Sequence, residues 1–145
     1  MPSPRAKPKR DVRPPGLRSG PVRGGCRVSG RVWVERDGAT FLSWGRVVLL
    51  ERIREHGSIS AAARSMGMGY RHAWGLVDEM NRASPRKLVE KTAGGRAGGG
   101  ARLTGEGEAA VAGFWELVEG FGEWLADEDP RLWAPARRRG RGRPR

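Results

Sequence analysis

The chain has 145 residues, with 28 Lys and Arg against 16 Asp and Glu and a formal net charge of +12, so its length allows one domain and hardly two. No stretch approaches the roughly 20 apolar residues that a membrane-spanning helix requires. The single Cys26 excludes an internal disulfide, and His56 and His72 are too few imidazoles for a structural zinc site, so we expect no metal and no other cofactor.

The positive charge is concentrated at the two ends of the chain. Residues 1–27 hold eight Arg or Lys and one acid, and residues 134–145 hold six Arg and no acid. Between them, residues 46–104 are net basic, whereas residues 105–130 contain eight acids and no base. We therefore expect two disordered basic tails, 1–27 and 134–145, flanking one folded domain, 28–130. The basic start lacks the apolar core of a secretory signal, so we expect a cytoplasmic, nucleoid-associated protein.

The folded segment begins with a predicted β-hairpin and a helix. Two short runs rich in β-branched and aromatic residues, 31–36 and 39–42, flank Asp37-Gly38, a dipeptide typical of a two-residue hairpin turn. Residues 44–56 then place apolar side chains three or four apart, and Gly57 follows. This spacing predicts an amphipathic first helix over 44–56.

A second and a third helix follow, joined by a short glycine-containing turn. Ser58 is a predicted N-cap for a helix that ends before Gly67. Its apolar face comprises Ile59, Ala62, Ala63 and Met66. The third helix is predicted over residues 70–83, with Pro85 soon after its end. Two helices joined in this way predict a helix-turn-helix.

A glycine-rich hairpin is predicted next. Residues 88–92 and 101–103 have strand patterns, and residues 93–100 contain five glycines. A hairpin after a helix-turn-helix is typical of a winged helix, so the predicted fold class is mainly α with small β. The cations placed to contact the DNA backbone or minor groove are Lys91, Arg96 and Arg102. The glycines match neither a P-loop nor a G-x-G-x-x-G pattern, and no catalytic set is visible, so we expect no enzyme.

The last predicted helix starts after Thr104 and carries Glu106 and Glu108 in its first turn, where acids stabilise the helix dipole. Its apolar stripe is too wide for so small a domain to bury. We expect a long dimerisation helix and a homodimer, and the alternative is an intramolecular core helix. The expected dimer contacts are Phe114, Leu117, Phe121 and Trp124.

The central sequence resembles the DNA-binding domain of ModE-type molybdate-responsive regulators. The similarity covers about residues 47–108 and is most specific in Gly57-Ser58-Ile59-Ser60, in Tyr70 with Ala73-Trp74, in Glu79-Met80-Asn81, and in the glycine-rich wing ending at Leu103-Thr104. It implies a dimeric winged helix that binds double-stranded operator DNA with its third helix in the major groove.

The resemblance also has limits. Members of the family often have Ser before the Tyr, where this chain has Gly69, so a side-chain cap and a possible phosphate contact are missing. Full regulators continue into a molybdate-binding region, whereas this sequence ends at Arg145. We therefore expect no molybdate-binding domain and no inherited molybdate response.

The expected DNA contacts lie at the start of the third helix, with Ser58 and Ser60 completing the set. A guanidinium such as that of Arg71 can grip guanine O6 and N7 together, and the alternative is a solvated helix charge. Tyr70 is expected either to place its hydroxyl on a phosphate or only to pack its ring. His72 is expected either to meet a base edge or to be an exposed structural residue. Trp74 is expected in the core.

The C-terminal tail contains Arg141, Gly142, Arg143 and Pro144, a string that resembles the core of a minor-groove AT-hook. The alternative is plain electrostatic tethering.

Together these features predict a sequence-specific DNA-binding transcriptional regulator. Two alternatives are a nucleoid-associated protein that coats DNA through its basic tails, and a winged-helix module that binds another protein.

Overall fold

The computed structural model describes residues 10–11, 28–93 and 99–127, together with the backbone of residues 17–18. In chain order the strands and helices are β1 (Leu17–Arg18), β2 (Ser29–Gly30), β3 (Val34–Arg36), β4 (Ala39–Leu42), α1 (Trp44–His56), α2 (Ile59–Ser65), α3 (Tyr70–Ala83), β5 (Val89–Thr92), β6 (Gly100–Leu103) and α4 (Gly105–Asp127). The strands form three antiparallel pairs, β1 with β2, β3 with β4, and β5 with β6. This is a winged helix-turn-helix, and the predicted fold class is confirmed.

The hairpin of β3 and β4 turns at Asp37 and Gly38, which have φ values of 52° and 79°. Positive φ at both positions is typical of a type I′ two-residue hairpin turn. β3 is shorter than the predicted strand over 31–36, and its register with β4 shifts between Val34 and Glu35.

α1 is the central element of the core. Ser43 caps it, with its side chain accepting the Arg46 N–H, and Gly57 ends it with φ 71°. The sequence predicts one buried face, but four consecutive residues, Val47, Val48, Leu49 and Leu50, are fully buried. The reason is that α1 packs against α2, α3, β6 and α4, so it has neighbours on several sides.

The wing strands join α1 to α4. The Ala101 N–H donates to the carbonyl of Gly57 at 2.8 Å, and the Thr104 N–H donates to the carbonyl of Leu88 at 2.9 Å. Thr104 also caps α4 as predicted, because its hydroxyl accepts the Gly107 N–H at 3.1 Å. These bonds fix the wing between the first and last helices.

Part of the segment expected to be a disordered tail contacts the folded domain. Trp44 and Trp115 meet edge to face, with ring centroids 4.7 Å apart. The guanidinium of Arg10 lies 3.8 Å from the Trp115 ring centroid, and the indole N–H of Trp44 donates to the Asp11 carbonyl at 2.7 Å. Trp115 of α4 thus holds Arg10 by a cation–π contact, and Trp44 of α1 holds the next residue through its backbone carbonyl.

Candidate nucleic-acid interface

The turn between α2 and α3 is tight and stabilised by backbone bonds. The Met66 and Met68 N–H groups both donate to the carbonyl of Ala63, and Gly67 adopts φ 63°. Ala62 and Ala73 are fully buried, and such small side chains let packed helices approach closely. This geometry sets the position of the first turn of α3 relative to α2.

The N-terminal end of α3 presents Tyr70, Arg71 and His72, and all three side chains are exposed. Gly69 supplies no side-chain cap, and the Ala73 N–H donates to the Gly69 carbonyl at 3.0 Å. The N–H groups before Ala73, in the first turn of α3, have no acceptor within the helix. Together with the helix dipole they favour an anion such as phosphate at this end.

Tyr70 is linked to the wing through Trp74. The indole N–H of Trp74 donates to the Tyr70 hydroxyl, and the two rings meet edge to face with centroids 6.4 Å apart. The Lys91 ammonium of β5 lies 4.5 Å from the centroid of the same Trp74 ring. Trp74 is therefore not a fully buried core residue, although it packs against the core.

The two basic residues of the described wing strands have different environments. In the β5–β6 register Glu90 faces Arg102, and the Arg102 guanidinium donates to the Glu90 carboxylate at 2.7 Å. Lys91 is exposed and forms no ion pair with a described residue. Lys91 is thus the better placed of the two to meet a phosphate, because the charge of Arg102 is already partly balanced.

Two side-chain contacts hold α3 in place. The guanidinium of Arg46 on α1 pairs with the Glu79 carboxylate at 2.6 Å. The Asn81 amide oxygen accepts the N–H groups of Leu88 and Val89 at 2.8 and 3.1 Å, and its NH₂ donates to the Val89 carbonyl at 3.0 Å. Asn81 thereby ties the end of α3 to the first wing strand.

Sequence reasoning missed these supporting roles. Glu79 and Asn81 belong to one of the sequence blocks that carry the family resemblance, and this was the only sign of their importance. Nothing in the sequence indicated that Arg46 has a supporting role. Trp74 packs against the core as expected, but its contacts with Tyr70 and Lys91 were not foreseen.

The remaining expected DNA contacts lie on α2 or outside the described residues. Ser58 caps α2, and its hydroxyl accepts the Ala61 N–H at 3.1 Å. Ser60 is exposed on the same helix. Outside the described residues lie Arg96, Arg141, Gly142, Arg143 and Pro144.

The apolar residues of α4 divide between the core and the surface. Phe114 is only 1% exposed and belongs to the core of its own chain, so it is not available to a partner. Phe121 is half-buried, with its ring against Gly30. Leu117 and Trp124 are 54% and 55% exposed, and these two remain open to a second subunit.

Within residues 10–11, 28–93 and 99–127, no group of three or more His, Cys, Asp or Glu is arranged to hold a metal ion. No helix in this part of the chain is long and apolar enough to cross a membrane.

Comparison with known proteins points to the same region of the chain. Residues 44–108 match the family model described as "Bacterial regulatory helix-turn-helix protein, lysR family". This segment runs from the start of α1 through the wing to the first turn of α4.

Three named relatives are similar over 66 to 91 residues. The molybdenum-pterin-binding protein MopA of Rhodobacter capsulatus is 45% identical over 87 residues, which are 60% of this chain and 32% of MopA. The molybdenum transport protein ModE of Azotobacter vinelandii is 43% identical over 91 residues, 63% of this chain and 34% of that protein. The DNA-binding transcriptional dual regulator ModE of Escherichia coli K12 is 44% identical over 66 residues, 46% of this chain and 25% of that protein.

The matched part of the chain thus spans about a third or less of each of these relatives. The resemblance expected from the sequence is confirmed over the helix-turn-helix region.

Proposed function

We propose that this chain, which carries a helix-turn-helix domain of the ModE type, is a sequence-specific DNA-binding transcriptional regulator. One observation carries the proposal: the first turn of α3 offers Arg71 and His72 to solvent, beside uncapped backbone N–H groups. No described residue pairs with the Arg71 guanidinium. A helix end with free donors and an unpaired guanidinium suits base edges in the major groove, flanked by phosphates.

In this proposal α3 enters the major groove and the wing lies along the backbone or the minor groove. Lys91 and Arg96 meet the backbone from the wing, while Arg102 contributes less because Glu90 holds it. Ser58 and Ser60 contact phosphates from α2. Residues 28–130 form the DNA-binding unit, and the basic segments 1–27 and 134–145 add affinity without sequence choice. Such a protein works with the chromosome in the cytoplasm.

The chain acts as a homodimer in this proposal. The support is that Leu117 and Trp124 are exposed on α4, seven residues apart and therefore on one side of the helix. Two α3 helices then enter successive major grooves about 34 Å apart.

The test is selection of bound duplexes from a random-sequence pool, followed by competition with unrelated DNA at physiological salt. We expect one enriched motif made of two symmetric half-sites, bound at least about 10³-fold more tightly than unrelated DNA. Binding without an enriched motif would instead indicate a nucleoid-associated protein. A failure to retain DNA at physiological salt would indicate a protein-interaction module.

A further inference from the structure

We propose that the Tyr70 hydroxyl and the Lys91 ammonium bind the same DNA phosphate, and that Trp74 is the residue that positions both. This inference rests on the proposed DNA-binding function and names a phosphate site within it. The three residues come from two different elements, α3 and β5, so the site exists only because the fold brings the wing strand beside the start of α3.

The direction of one hydrogen bond defines the role of Tyr70. An indole nitrogen is a donor only, so the Tyr70 oxygen is the acceptor in its bond with Trp74. The hydroxyl proton of Tyr70 is then left to donate elsewhere. The Tyr70 side chain is 53% exposed, so the hydroxyl can meet an anionic oxygen from solvent.

The position of Lys91 supplies the second donor. Its ammonium lies over the face of the Trp74 ring, 4.5 Å from the centroid, where the negative face of the ring attracts a cation. The Tyr70 hydroxyl meets the edge of the same ring, at its N–H. Both donors therefore lie against the same indole, one at its edge and the other over its face.

The chemistry of this pair matches a phosphodiester. A phosphodiester carries one negative charge shared by two non-bridging oxygens, and one oxygen can accept from the hydroxyl while the other meets the ammonium. Hydrogen bonds to a charged acceptor are the stronger kind. The contact carries no base information, since every nucleotide presents the same phosphate. The site therefore contributes affinity and register, whereas the operator choice stays with Arg71.

The first experiment measures binding of the full chain to the selected duplex, for Tyr70→Phe and Lys91→Gln. We expect Tyr70→Phe to lower the affinity about tenfold without changing its salt dependence, because a neutral donor releases no counterion. We expect Lys91→Gln to reduce the slope of log affinity against log salt by about 0.9. Lys91→Arg, which keeps the cation over the ring, should bind nearly as the wild type does.

The second experiment replaces single phosphates of that duplex with uncharged methylphosphonates. At one position the replacement should weaken the wild type and abolish any further loss from either Tyr70→Phe or Lys91→Gln. The shared site would be overturned if the losses of affinity caused by Tyr70→Phe and Lys91→Gln were abolished by replacing two different phosphates, or by replacing none. A wild type that binds no duplex specifically would instead refute the proposed function itself.

A third measurement tests the positioning role of Trp74. Trp74→Phe removes the N–H but keeps an aromatic ring under Lys91, so it should reproduce the loss caused by Tyr70→Phe while leaving the salt slope unchanged. In the double variant Tyr70→Phe/Trp74→Phe the loss should be no larger than in Tyr70→Phe alone. If Trp74→Phe costs as much affinity in the Tyr70→Phe variant as in the wild type, Trp74 acts independently of Tyr70 and only packs. Thermal unfolding of each variant checks that the fold is intact.

Discussion

At the scale of single residues, the proposed function assigns the base contact to Arg71. We predict that Arg71→Ala weakens binding to the selected duplex by about 1–3 kcal/mol and relaxes the preference at one base pair per half-site. Arg71→Lys should recover only part of the loss, because a flexible ammonium lacks the rigid, planar donor fork of a guanidinium. Competition binding with duplexes changed at single base pairs measures both effects.

Arg82 provides the matched control, since it lies on the same helix but pairs with Asp78 at 2.6 Å near the other end. Arg82→Ala should leave the preference unchanged. If Arg71→Ala weakened all duplexes equally, Arg71 would be a phosphate contact and not a base contact.

Gly107 is a residue whose role depends on a tertiary contact with Leu88. It lies in the first turn of α4, and a Cβ at this position would lie 2.2 Å from the carbonyl oxygen of Leu88. We predict that Gly107→Ala lowers the free energy of unfolding by about 1–3 kcal/mol, because the helix must shift away from the chain before β5. Urea denaturation measures the change.

Gly113 on the same helix is the control, because a Cβ built there meets nothing within 4 Å apart from the adjoining chain of α4 itself. Gly113→Ala should stabilise the protein by roughly 0.5–1 kcal/mol, the usual gain when alanine replaces glycine inside a helix. If both substitutions changed the free energy of unfolding in the same direction, the close approach at Gly107 would be contradicted.

At the scale of elements, the parts that were predicted well are those fixed by local chemistry. α1 and α3 have the predicted bounds because their ends are set locally, by Gly57 after α1 and by Gly69 before α3. The wing strand was predicted from residue 88, yet β5 begins at Val89. The Leu88 N–H donates to the Asn81 side chain, a side-chain contact that the strand pattern does not reveal.

The division of α4 was also beyond prediction from the sequence. Its apolar residues form a stripe wider than one contact can cover, and which part is buried depends on the neighbours that the fold supplies. The structure places Val111, Phe114 and Val118 in the core and leaves Leu117 outside. The periodicity predicted the helix correctly but could not say which side meets α1.

Asn81 gives a prediction at this scale. Its side chain makes three hydrogen bonds to the backbone of Leu88 and Val89. Asn81→Ala leaves two backbone donors and one acceptor without this partner, so we predict a loss of about 2–3 kcal/mol in the free energy of unfolding.

Thermal or urea unfolding tests this, with Arg82→Ala as the comparison. Arg82→Ala breaks only an exposed ion pair between residues four apart on a helix, worth about 0.3–0.5 kcal/mol. If Asn81→Ala lowers the free energy of unfolding by no more than Arg82→Ala does, the link between α3 and the wing does not stabilise the fold.

At the scale of the whole molecule, the basic C-terminal segment allows the proposed affinity and sequence choice to be tested separately. Residues 134–145 carry six Arg and no acid. Deleting them should reduce the slope of log affinity against log salt by about 0.9 for each phosphate that the tail neutralises, while the preference for the selected duplex persists.

A narrower change tests the minor-groove hypothesis for the same tail. Arg141→Ala with Arg143→Ala should weaken binding selectively on duplexes with A·T-rich flanks if the tail enters the minor groove. Equal weakening of binding to duplexes with any flanking sequence would support electrostatic tethering. If deletion of residues 134–145 abolished the preference for the selected duplex, α3 would not be the recognition element.

The proposed homodimer can be tested by placing a charge on α4. If α4 pairs with a second copy through Leu117 and Trp124, Leu117→Glu places a carboxylate in that contact and should convert the dimer to a monomer in sedimentation equilibrium at micromolar concentration. Ala112→Glu adds the same charge at an exposed position elsewhere on α4 and should leave the dimer intact.

The same pair of variants should differ on DNA. A dimer holds two α3 helices on half-sites one helical turn apart, so the Leu117→Glu monomer should bind a single half-site as well as the wild type does but lose the additional affinity for the symmetric duplex. A wild type that sediments only as a monomer would overturn the dimer, and the selected motif should then lack two-fold symmetry. Agreement between the symmetry of the motif and the mass in solution is therefore the decisive comparison, because the two measurements share no assumption about α4.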